Sequence, residues 1–226
     1  MPPAPLLDSL ARLIEATFDI TPSLVPLGRF VVGDEGHRRI QSGRVIHQSV
    51  DHDGFGARLL LRPLSGPSQW AVALYLPDEM IEHLERHDPR REIHGGNIDA
   101  FAALIEEIDH LVVFSERALK GGPGLSMLEM EWHAGVSKYL VLSHFVGRLT
   151  GKVHLARRER DFLEHHLFHK SDYVADDENV QDRYRRANRL AYRFVRTLRR
   201  MNPHERLVAL RRFHRATHHE KMRVYA

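Results

Sequence analysis

The chain has 226 residues, no cysteine, 42% apolar and 28% charged residues, and a formal net charge of +3. That is enough chain for one large domain or two small ones, and it excludes disulfide staples, thiol nucleophiles and cysteine-ligated metal. No stretch approaches the ~20 apolar residues of a membrane-spanning helix, and Asp8, Arg12 and Glu15 interrupt the N-terminal run that a secretory signal would need, so a cytoplasmic, bacterial protein is expected.

In chain order, Leu6, Leu10, Leu13 and Ile14 recur at helical spacing up to Phe18, with Pro22 and Pro26 ending that helix. Short β-rich runs follow at Arg29 to Val32, Arg44 to Val50, Ala57 to Leu61 and Gln69 to Leu76. The stretches DEG, DHDGFG and LSGPS between them have turn chemistry, which predicts an antiparallel sheet of three to four strands. Pro77, Asp78 and Glu79 open a helix that reaches about His87 before Asp88-Pro89. Everything beyond reads as helix: Ile98 to about Leu119, Leu125 to about Leu149, Val153 to His169, Val180 to Met201, and Asn202-Pro203 toward Met222. The expected fold class is α+β. Residues 1–90 form a layer of helix, small sheet and short helix, and residues 91–226 form a multi-helix bundle, together one compact unit.

Two helices of the bundle carry charge on apolar faces. On the first, Phe101, Leu104, Ile105, Ile108, Leu111 and Val112 make one arc, Ala103 and Phe114 extend it, and Glu107 falls inside the extension with His110 at its edge. Glu106 and Asp109 are expected on the opposite, polar side. The second helix is apolar nearly all round, which predicts a central position. It nevertheless carries Glu131 and Lys138 on one face, and Glu129, His133 and His144 on a more polar stripe. The GGPG connection at 121–124 makes the two helices antiparallel neighbours. Glu107, His110 and Glu131 are therefore expected to converge, with Lys138 beside them. A carboxylate there needs a cation, a metal or several donors.

Two uses follow. Glu107, His110 and Glu131 would bind a divalent metal such as zinc, iron or manganese. In a hydrolytic version the metal lowers the pKa of bound water, one of Glu107 and Glu131 acts as general base, and Lys138 pairs with a carboxylate or steadies developing negative charge. Alternatively the same residues are a salt-bridge network that fixes helix register. The segment Glu106-Glu107-Ile108-Asp109-His110 resembles the Glu-Glu-x-x-His element of ferritin-like di-metal proteins, including rubrerythrins. Those proteins use a second such element, and here His133 follows Glu129 by four positions rather than three.

Other signals are lesser. Neither GxxxxGK[ST] nor GxGxxG occurs, so no nucleotide cofactor is indicated, and there is no GxSxG elbow. Glu164 with His165, His166 and His169 reads as a solvated face. Residues 183–226 hold fourteen Lys and Arg against Glu205 and Glu220, whereas residues 1–182 hold nineteen against twenty-eight acidic residues. In this acidic body with a basic end, the arginines either form solvated helix faces or clasp the acidic body, or a second copy in a homo-oligomer, as ion pairs, or they meet nucleic acid or an acidic protein. The residues expected to meet an anionic partner are Arg185, Arg186, Arg189, Arg193, Arg196, Arg199 and Arg200, which surround the apolar stripe of one helix. Few aromatics lie among them, so base-specific readout is not indicated.

Overall fold

The computed structural model describes residues 4–21, 23–40, 56–65, 69–121, 125–170 and 178–225. The first helix, α1 (Ala4–Phe18), buries Leu6, Leu7, Leu10, Ile14 and Phe18 along one stripe. Its carboxylates fasten the returning chain: Asp8 accepts from the Leu27 amide at 2.8 Å, and Glu15 accepts from the Ser23 hydroxyl and the Leu24 amide.

Strand β1 (Val31–Val32) leads into helix α2 (Asp34–Ile40), and β2 (Arg58–Pro63) and β3 (Trp70–Tyr75) complete a sheet of order β1-β3-β2. The sheet is mixed rather than antiparallel throughout. β2 runs antiparallel to β3, with Leu59 opposite Leu74, while β1 lies parallel to β3 through Val31–Leu74 and Val32–Tyr75. The DEG stretch expected as a turn instead starts α2. With a helix following β1, no tight hairpin joins it to β2, and it takes the free edge of β3. The strand expected at Arg44 to Val50 lies outside the described residues.

The remaining helices are α3 (Asp78–Arg86), α4 (Ile98–Leu119), α5 (Met127–Thr150), α6 (Arg157–Glu164), α7 (Glu178–Leu198), α8 (Pro203–Arg215) and α9 (His218–Tyr225); a π-helical turn at His165–His169 extends α6. Local chemistry sets their ends. Ser126 and Glu129 cap α5 reciprocally, Gly151 at φ 67° closes it, and Asn202 with Glu205 caps α8, whose first residue is Pro203. The last helix was expected to be continuous. It breaks at Ala216, because Glu220 accepts from the Thr217 amide and hydroxyl and starts α9 anew.

α4 packs against α1, α3, β2, β3 and α5, and α5 lies between α4 and α7. One apolar cluster runs from α1 through the sheet to α8. Gly135 lets α5 and α7 approach closely: a Cβ added there would sit 2.8 Å from the Ala191 Cβ. Among the described residues no helix is long and apolar enough to cross a membrane.

Candidate metal centre

Every residue from Leu104 to Val113 on α4 is buried, including Glu106, Glu107, Asp109 and His110. The expectation that Glu106 and Asp109 face a polar side is therefore corrected. α4 has the sheet and α1 on one side and α5 on the other, so this stretch has no solvent face, and its charged residues must find partners inside. They form two separate groups.

In the first, His110 Nε2 lies 3.6 Å from Glu131 Oε2 on α5 and 3.9 Å from Glu106 Oε1 one turn back on α4. One ligating atom from each of Glu106, His110 and Glu131 lies within 4.8 Å of the others, and all three residues are buried. Lys138 Nζ pairs with Glu106 Oε2. Glu131 Oε1 is shut away from solvent with no hydrogen-bond partner among the described residues. Of the residues expected to converge, His110 and Glu131 do so and Lys138 stands beside them. Glu106 occupies the third place of the tight cluster, where Glu107 was expected. Glu107 is buried close by, and its charge still acts on His110.

The electrostatics of the group are those of excess negative charge. Burial would lower the His110 pKa, but Glu131, Glu107 and Glu106 outweigh it and push the imidazole up to about 10. Burial pushes the Glu131 carboxyl upward, against the opposing pull of His110 and with help from Glu106. Three carboxylates meet one ammonium and one imidazole here.

The second group was not anticipated from the sequence. Asp109 accepts from the Ser137 hydroxyl at 2.5 Å, and His133 Nδ1 lies 2.9 Å from both of its oxygens. His133 Nε2 meets His214 Nδ1 at 3.2 Å, and His214 Nε2 meets Glu116 Oε2 at 2.7 Å. Donor and acceptor roles along Asp109–His133–His214–Glu116 follow from the tautomers that the two rings adopt. Burial lowers the His214 pKa to about 4, with His133 and Arg117 acting in the same direction against Glu116. The available sequence signal was the spacing of Glu129 to His133, which read as a polar stripe because α8 was not known to cover it.

At the basic end, Arg185, Arg186, Arg189, Arg193, Arg196, Arg199 and Arg200 are all exposed on or just beyond α7. Arg199 pairs with Glu164, Arg185 with Asp182, and the Arg196 guanidinium lies 5.7 Å from the Tyr192 ring centre. Glu164 is thus buried in an ion pair rather than solvated.

Comparisons with protein-family models, curated proteins and solved structures return no match. The functional reading therefore rests on this geometry.

Proposed function

We propose that the protein is a divalent-metal protein whose ion is held in the helical core by Glu106, His110 and Glu131. The observation that carries this reading is the convergence of one imidazole nitrogen and two carboxylate oxygens, from two helices, within 4.8 Å of one another in a buried position. Nitrogen and oxygen donors on facing helices are how bundles hold zinc, iron or manganese. The orphaned Glu131 Oε1 offers a further oxygen. Glu106, Glu107 and Glu131 against Lys138 leave two negative charges when the imidazole is neutral, which a divalent ion cancels. Lys138 fixes the second Glu106 oxygen and so orients the ligand.

The depth of the cluster favours an ion that ties α4 to α5 over one that hydrolyses a substrate. His110 is fully buried and Glu131 is 5% exposed, and three cavities elsewhere on the molecule are lined by other residues. Titration with Co2+ tests the reading through the visible bands of the bound ion. One equivalent should bind, with bands that Glu131→Gln abolishes; a featureless titration would refute it.

A second reading is favoured by the seven exposed arginines on one side of the bundle: a surface for nucleic acid or an acidic protein. Nucleic-acid binding of this kind weakens steeply with salt, and binding indifferent to salt would exclude it.

A further inference from the structure

A cavity of about 520 Å³ opens between α5, residues 153–155, α6 and the junction of α7 with α8. Three arginines from three different elements line it: Arg160 from α6, Arg199 from the end of α7, and Arg206 from α8. Tyr139, Ser143 and His144 of α5 line the opposite wall, and His154 lies on the rim segment. Among the described residues the lining contains no carboxylate. In a chain with 30 acidic residues against 33 basic ones, that separation of sign marks the cavity out.

Arg160 and Arg206 are tethered to backbone carbonyls. Arg206 donates through Nε to the Leu198 carbonyl at 3.2 Å and through Nη2 to the Met201 carbonyl at 3.3 Å. Arg160 donates to the Leu155 carbonyl, and Arg199 pairs with Glu164. A guanidinium has five N–H donors, so each tether leaves several unused. Arg160 Nε is buried with no hydrogen-bond partner among the described residues. Two guanidinium groups anchored on carbonyls, with neutral donors around a pocket in the usual size range for small ligands, are the chemistry of an oxyanion site.

We infer that this cavity binds the phosphate group of a small phosphorylated molecule through Arg160, Arg199 and Arg206. A half-open pocket lined by arginines from three elements suits one compact dianion better than an extended polymer, which would engage the arginines along the outer face of α7. Arg supplies two parallel hydrogen bonds to a phosphate face, and Tyr139 and His144 are placed to add single ones. The site is separate from the buried Glu106–His110–Glu131 group and does not depend on metal there.

Calorimetric titration at low salt with two probes, inorganic phosphate and glycerol 3-phosphate, tests the proposal on the full chain. Either probe should bind with one site. Tighter binding of glycerol 3-phosphate assigns the site to organic phosphates, and equal binding assigns it to the free anion. Arg160→Gln and Arg206→Lys should each weaken binding about tenfold or more, as loss of a charge-assisted fork implies, while Arg193→Gln on the outer face of α7 leaves it unchanged. Because Arg206 also holds the end of α7, melting temperatures are read in parallel, and Tyr139→Phe gives a milder second variant that should weaken binding without unfolding. The proposal is overturned if neither probe binds at about 10 mM, beyond the range of a weak millimolar site. It is equally overturned if Arg193→Gln weakens binding as much as Arg160→Gln, or if a DNA duplex alone binds.

Discussion

At the scale of single residues, the protein's chemistry lies in side chains that have been removed from water and paired. His214 is the sharpest case for stability, since burial lowers its pKa to about 4 from an ordinary 6.5. Above pH 6.5 both folded and unfolded chains hold it neutral. Between 6.5 and about 4 the unfolded chain takes up a proton that the folded chain refuses, so this residue's contribution to stability declines as pH falls through that window. Denaturant melts of the wild type should show the decline, and His214→Gln should flatten it; an unchanged pH slope in the variant would remove His214 from the account. His214→Gln should also cost about 1–3 kcal/mol at neutral pH by leaving Glu116 or His133 short of a partner. How much of this was legible in sequence depends on the residue. His110 and Glu131 stood out because each sits among apolar neighbours on its own helix. Glu106 and Asp109 did not, because helical periodicity places them away from the apolar arc, and only the tertiary arrangement buries the second face of α4 as well.

At the scale of elements, α5 was recognisable as central because it is apolar nearly all round, and the paired helices α4 and α5 follow from their lengths and short connection. The starts and stops were legible wherever capping chemistry is local, as at Asn202-Pro203. The sheet was less so, since the parallel pairing of β1 depends on a seven-residue helix, α2, in a stretch whose Asp and Gly suggest a turn. The α5–α7 contact gives an element-scale prediction. Gly135→Val places a branched side chain where even a Cβ would stand 2.8 Å from that of Ala191, so it should destabilise the fold by about 1–3 kcal/mol. In a double-mutant cycle, Ala191→Gly should recover part of the loss. Additive effects would mean that the two helices do not meet at this point.

At the scale of the whole molecule, the basic end is fastened to the acidic body from inside as well as across the surface. Lys221 of α9 is buried, with Nζ 3.5 Å from Glu129 Oε1 and 5.0 Å from the Phe213 ring centre. Burial lowers its pKa against the pull of Glu129. Lys221→Ala should release α9, seen as faster hydrogen exchange and proteolysis after Arg215, while α4 and α5 stay protected; unchanged protection of α9 would show that Phe213 and Tyr225 hold it unaided. The charge asymmetry that suggested such a clasp was plain in composition, but no local pattern could show that a lysine among eight C-terminal helical residues is the one that turns inward.

The central claim is that Glu106, His110 and Glu131 hold a metal ion, and elemental analysis of the purified protein tests it most directly. After supplementation with zinc, iron and manganese and thorough dialysis, the protein should retain about one equivalent of metal. Glu106→Gln and Glu131→Gln should lose it while keeping the wild-type circular dichroism, and uptake should strengthen with rising pH because a proton competes for His110. Folded wild-type protein without metal after supplementation, or a Glu131→Gln variant that keeps its full equivalent, would contradict the account and leave the cluster as a salt-bridge network joining α4 to α5.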